Sequence, residues 1–169
     1  VLEEVNKPVY VLDELPIGDT VKTVYRMFQC MEISASHVGL YVGAALDIAN
    51  SEMFSPQSLY DDIIKNVGYV PAVAAVNAKQ PEYVSQLIIP TRQVYNKWQA
   101  DAINHIIDHY GIEVVFSHLH NLDTFGHRFM AYGTEHEDLE LGAEPTFFRD
   151  AYYQCYEDTD LYFGYFMHY

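Results

Sequence analysis

The chain has 169 residues, of which 50% are hydrophobic and 15% aromatic, and its formal net charge is −15 at pH 7. This length suits one domain with a single core, and the hydrophobic content excludes a disordered chain. We expect no membrane segment, because neither a long apolar span nor a secretory signal pattern occurs. The negative charge repels phosphate backbones, so we expect no binding to nucleic-acid duplexes, and a phosphate-ester substrate would require bound cations.

The N-terminal third is predicted to be β-structure. Residues 1–19 are acidic and interrupted by proline and glycine, which is typical of a lead-in, a linker or an edge segment. From 21 to 33 apolar and polar residues alternate with a period of two, which indicates a half-buried strand. The run VGLYVGAAL follows after four residues. We therefore predict an N-terminal β-hairpin, a cap-like part over residues 20–54.

Two helices and a strand are predicted next. Ser55 and Pro56 have the pattern of a helix N-cap followed by a first-turn proline. The run YVPAVAAV at 69–76 is apolar throughout, as expected of a strand covered on both faces. Thr91 could cap the second helix, which Gly111 would end. Its predicted apolar stripe consists of Val94, Trp98, Ala102, Ile106 and Tyr110.

The C-terminal third continues this alternation. It predicts a strand over 112–119, a polar loop through Gly142, and a last helix from about Pro145. The stripe of that helix is predicted to contain Phe148, Tyr152, Cys155 or Tyr156, Thr159 and Phe163. Cys30 and Cys155 are predicted to be buried thiols, because neither belongs to a CxxC or Cys/His pair. The fold class is thus α/β: a mostly parallel sheet flanked by helices, forming a single domain over 20–169 after the lead-in 1–19.

The segment EVVFSHLHNLDTFGHRF, at 113–129, contains the main candidate site. Asp123 and His127 follow the predicted strand, and ligand crevices of open α/β sheets lie beyond the carboxyl ends of their strands. A carboxylate and an imidazole are ligands that zinc accepts, with Gly126 available for tight bending of the backbone. The alternative is a capping aspartate and a surface histidine, because a DxxxH spacing alone is common.

His118 and His120 alternate along the same strand and would point to one side of it. They could support the metal ligands, contact substrate or be hydrogen-bonded structural groups. His136 lies in an acidic run that is most simply a solvated loop. Four further histidines show no ligand spacing: His37, His105, His109 and His168. The chain lacks the GxSxG, GxxxxGK and GxGxxG patterns of hydrolase triads, P-loops and dinucleotide sites.

The order of strand, LDTFGH, loop and a helix reading YEDTDLYFG resembles the type I phosphodiesterase and nucleotide pyrophosphatase branch of the alkaline phosphatase superfamily. That helix pattern is formed here by Tyr156, Glu157, Asp160 and Gly164. The similarity extends from about residue 21 to 169, and its specific part is LDTFGH. The resemblance implies a partial alkaline-phosphatase-like core, with Asp123 and His127 as ligands of one of two metal ions, usually zinc. It also implies a small phosphate-ester substrate, such as a nucleotide.

Members of this family attack with a Thr or Ser nucleophile and form a covalent phospho-enzyme. That nucleophile, a further aspartate, a D-H-G motif and a last ligand histidine do not occur here. We therefore expect an inactive internal fragment of a metal-dependent hydrolase, holding part of a two-metal site. The alternative is a non-catalytic binding or oligomerisation module, with the aromatic last helix as its contact surface. Sulfatases and metal-dependent mutases of the same superfamily stay open.

Overall fold

A computed structural model describes residues 5–50, 52, 54–76, 80–130 and 146–167. The strands are β1 (Val9–Ile17), β2 (Thr20–Ile33), β3 (Val38–Val42) and β4 (Leu46–Asp47). The helices are α1 (Gln57–Asn66), α2 (Pro81–Tyr83), α3 (Ile89–Tyr110), α4 (Asn121–Phe129) and α5 (Phe147–Gly164). A π-helical turn, Val84–Ile88, joins α2 to α3. In these ranges no helix combines the length and the apolar character needed to cross a membrane.

The sheet has four antiparallel strands in the order β1-β2-β3, with β4 also paired to β2. The predicted hairpin is confirmed, because β2 and β3 pair with Phe28 opposite Val42. β1 lies within the predicted lead-in and forms an edge strand, with Ile17 opposite Thr20. The N-terminal segment is therefore part of the sheet.

The prediction of a mostly parallel sheet is wrong. Neither candidate parallel strand, 69–76 or 112–119, pairs with a strand in the described part of the chain. The first forms neither a helix nor a strand, and side chains bind its backbone where a neighbouring strand would. Tyr10 donates to the Ala72 carbonyl at 3.1 Å. The Ala74 N–H donates to Thr91 Oγ1 at 3.0 Å. The Ala75 N–H donates to the Tyr41 hydroxyl at 3.2 Å. These contacts satisfy backbone groups that a neighbouring strand would otherwise pair.

Thr91 is therefore not a helix cap. It lies inside the continuous helical run from α2 through α3, where Oγ1 donates to the Leu87 carbonyl at 2.6 Å. The predicted cap at Ser55 is also wrong, because the N-cap of α1 is Pro56 and makes no side-chain bond. The end of α3 is confirmed: Gly111 adopts a left-handed conformation with φ of 63°, which glycine tolerates without a steric penalty.

The buried faces of the long helices differ from the predicted stripes. Ala102 is buried in α3, but Val94 and Tyr110 are exposed, and Thr91, Asn96 and Ala100 are buried instead. The buried residues of α5 are Phe148, Ala151, Cys155, Asp158 and Tyr162, whereas Phe163 is exposed. The buried faces of the two helices thus include three polar side chains outside the predicted stripes: Thr91, Asn96 and Asp158.

Within the described ranges, the buried core contains two hydrophobic clusters. One joins the π-helical turn, α4 and α5 and contains Val84, Ile88, Phe125, Phe129, Phe148, Ala151 and Cys155. The other joins the sheet to that turn through Met27, Ala74 and Leu87. Both cysteines are free and buried, as predicted.

Candidate functional site

The predicted site lies where a segment without regular secondary structure meets a short helix. Residues 112–120 form neither a helix nor a strand, and α4 begins at Asn121 with Asp123 in its first turn. A carboxylate there interacts favourably with the positive end of the helix dipole. Phe125 and Phe129 are buried on one face of α4, while Asp123 and His127, four residues apart, are exposed neighbours on another. Gly126 has helical backbone and makes no tight bend.

The structure brings the four predicted side chains into one row. His127 Nε2 lies 3.2 Å from Asp123 Oδ1, and His120 Nδ1 lies 3.8 Å from Asp123 Oδ2. The first distance allows a hydrogen bond, and the second is too long for one. The rings of His118 and His120 have centroids 3.9 Å apart. Asp123 is thus the centre of the row, with an imidazole near each carboxylate oxygen.

Aromatic packing holds α4 from behind. The Phe129 ring stacks on Phe148 of α5 with a centroid distance of 5.3 Å, and Phe125 meets Phe129 edge-on at 5.4 Å. A Cβ at Gly126 would lie 3.6 Å from the Tyr152 hydroxyl, so α5 also approaches α4 at this position. The exposed pair of candidate ligands therefore rests on a buried helix–helix contact.

The segment before α4, residues 112–120, is held less closely. Ser117 Oγ lies 3.3 Å from the Tyr162 hydroxyl, and Gln99 Nε2 donates to Ser117 Oγ and to the His118 carbonyl, both at 3.4 Å. Two apolar residues that precede Ser117 in this segment are exposed: Val114 by 67% and Phe116 by 97%. The prediction that 112–119 is a buried strand is therefore wrong for the described part of the chain. The apolar composition of this segment favours burial, but it does not specify which other elements would pack over it.

Asp123 and His127 fit one metal ion as two of its ligands. Tetrahedral zinc bonds of about 2.0 to 2.2 Å would separate two such ligand atoms by about 3.3 to 3.5 Å. The observed separation of 3.2 Å is close to that value. Both side chains are accessible, at 57% and 82% exposure. Within the described ranges no group of three or more His, Cys, Asp or Glu residues could hold an ion. The pair can therefore supply only part of a coordination shell.

A second ionisable cluster was not predicted. His105 Nε2 lies 2.6 Å from Asp62 Oδ2, and the Tyr110 hydroxyl donates to the same oxygen at 3.0 Å. These bonds hold the pKa of Asp62 below its ordinary value, and the bond from His105 contributes most. The bond to Asp62 raises the pKa of Tyr110. His109 stacks on His105 with centroids 4.2 Å apart. This cluster connects α1 to α3.

No sequence signal joins these residues, because 43 positions separate Asp62 from His105. His136 and His168, by contrast, lie outside the described residues. The chain matches no protein-family model, no curated protein and no solved structure. The resemblance to the phosphodiesterase family thus stays a prediction.

Proposed function

We propose that this chain is part of a metal-dependent hydrolase of the type I phosphodiesterase and nucleotide pyrophosphatase kind, in which Asp123 and His127 bind one of two metal ions. The observation that supports this most is the 3.2 Å separation of Asp123 Oδ1 and His127 Nε2 on an exposed helix face. A carboxylate oxygen and an imidazole nitrogen form a donor set that suits zinc.

The charge of the chain favours a metal-dependent reaction. Nine Lys and Arg residues stand against 24 acids, so the protein alone would repel a phosphate ester. A divalent ion held at the candidate site would supply the positive charge and Lewis acidity that a phosphate ester requires. Asp123 and His127 would hold and orient this ion. His120, beside the other carboxylate oxygen, would position Asp123 and contact the substrate together with His118.

The test is hydrolysis of bis(p-nitrophenyl) phosphate by the natural protein that contains this segment, with zinc supplied. We expect Asp123→Ala and His127→Ala each to lower the activity by at least about 100-fold and to lower the zinc content, because each removes a direct ligand. His37→Ala, which removes an exposed imidazole between β2 and β3, is the matched control. Activity and zinc content unchanged in both ligand variants would refute the assignment. Comparison with p-nitrophenyl sulfate distinguishes a phosphoesterase from a sulfatase.

The exposed apolar surface favours a second candidate, a binding or oligomerisation module on the same scaffold. Val114 and Phe116 are exposed in the segment before α4, and α5 exposes further apolar residues. Those on α5 are Tyr153, Tyr156, Leu161 and Phe163. Such patches mark contact surfaces. This candidate predicts no zinc binding at Asp123 and His127, which separates it from the first.

A further inference from the structure

A cavity between α3 and α5 combines features that point to a bound ligand. It has a volume of about 280 Å³ and is lined by Gln93, Asn96, Asp158, Leu161 and Tyr165. It lies at a contact between the two helices, beside the hydrogen bond from Gln93 Nε2 to Asp158 Oδ1 at 2.8 Å. Asp123 and His127 do not line it.

Asn96 is an unsatisfied polar group in the wall of this cavity. Its side chain is 3% exposed, yet neither Oδ1 nor Nδ2 has a hydrogen-bond partner. A buried carboxamide without partners is unfavourable, and native proteins satisfy almost all such groups with protein, water or ligand. The cavity beside Asn96 is large enough to contain such a partner.

Asp158 brings a negative charge to the same cavity. It is 8% exposed, and the hydrogen bonds found for it, from Gln93 and from Gln154 Nε2 at 3.2 Å, both end on Oδ1. Among the residues described, no Lys, Arg or His forms an ion pair with it. The nearby Lys97 pairs with Asp101 instead. Burying a carboxylate without a nearby cation is energetically unfavourable, so a positively charged ligand would stabilise the Asp158 carboxylate.

We propose that this cavity binds a small organic cation through N–H donors, a primary ammonium or a guanidinium group. Its N–H groups would bond the Asp158 carboxylate and Asn96 Oδ1, and its carbon atoms would contact Leu161 and Tyr165. The Tyr165 ring already accepts a cation, because Lys97 Nζ lies 5.2 Å from its centroid. A divalent ion fits less well, since hard cations require about six oxygen ligands and the cavity offers one carboxylate.

The first test uses the unmodified chain and three probes at constant ionic strength: methylammonium, methylguanidinium and tetramethylammonium chlorides. The last has the charge but no N–H donor. Calorimetric or NMR titration should give saturable binding of methylammonium or methylguanidinium, at least tenfold tighter than of tetramethylammonium. Equal binding of all three would show general attraction to an acidic protein, and no saturable binding would show that the cavity holds water. Either result would overturn the proposal.

The second test uses two variants with the same change in charge. Asp158→Asn should weaken binding of the better probe at least tenfold, whereas Asp160→Asn, on the exposed side of α5, should bind as the wild type does. Equal affinity of the two variants would contradict the proposal. Circular dichroism checks that Asp158→Asn is folded. If it is not, the discrimination among the three probes by the wild type still decides. Because Asp123 and His127 are not involved, the result is independent of the metal site.

Discussion

The Asp62 carboxylate shows how a single residue can link two helices. It lies on α1 and accepts hydrogen bonds from His105 and Tyr110, which lie at the C-terminal end of α3. Because these bonds favour the charged form, the pKa of Asp62 is lowered in the folded chain. The bonds therefore stabilise the fold above the unfolded pKa of about 3.9, and this contribution is lost as the pH falls through the lower, folded value.

Asp62→Asn should consequently be less stable than the wild type at neutral pH and lose less stability on acidification below about pH 4. Urea unfolding midpoints between pH 3 and pH 7 measure this. The control is Asp61→Asn, because Asp61 is the adjacent acid and, among the described residues, accepts its bond from Gln57 of the same helix, at 3.2 Å. The interpretation fails if the two variants show the same dependence on pH.

At this scale the sequence predicts local relations and misses distant ones. The spacing of Asp123 and His127 suffices to place both side chains together, because residues four apart on a helix are neighbours. The bond between Asp62 and His105 depends on how α1 packs on α3, which no local pattern encodes. The burial of Asp158 could have been predicted from its spacing. It lies three residues after Cys155 and four before Tyr162, and all three are buried in α5.

At the scale of elements, α5 positions α4 and hence the candidate ligands. Phe148 is completely buried and stacks on Phe129, whereas Phe163 of the same helix is 60% exposed. Phe148→Ala should lower the free energy of unfolding by about 3 to 5 kcal/mol, because it leaves a cavity in the core. Phe163→Ala should change it by less than about 1 kcal/mol. Chemical denaturation compares the two, and equal losses would mean that the α4–α5 contact is not as described.

The elements that were predicted correctly are those whose signal is local. The alternation in 21–33 and the four-residue connection suffice for the β2–β3 hairpin, and Gly111 ends α3 as expected. The parallel sheet was wrong because an apolar run does not specify its neighbour. In 69–76 the backbone groups bind Tyr10, Tyr41 and Thr91, side chains that come from distant parts of the sequence.

At the scale of the whole molecule, strong negative charge coexists with exposed apolar surface. Phe116 is 97% exposed and stands in a run of apolar residues, while the net charge of −15 drives copies of the chain apart. Salt screens that repulsion over about 10 Å at 0.1 M. We therefore expect self-association to increase as salt is added.

Phe116→Ser should reduce this association, because it removes the most exposed apolar side chain of the segment. The control is Ile33→Ser, because Ile33 is an apolar residue that is 59% exposed and lies between the polar residues Glu32 and Ser34. Sedimentation velocity at low and high salt measures the effect. Equal association of both variants and the wild type at every salt concentration would argue against the segment as a contact surface.

The central claim, that Asp123 and His127 share a metal ion, is tested most directly by calorimetric titration of zinc into the 169-residue chain. The account predicts weak but saturable binding, because the pair supplies only part of a coordination shell. Binding should be at least about tenfold weaker still in both Asp123→Ala and His127→Ala, and unchanged in His37→Ala. Zinc binding that is absent from the wild type, or equally strong in all four proteins, would contradict it.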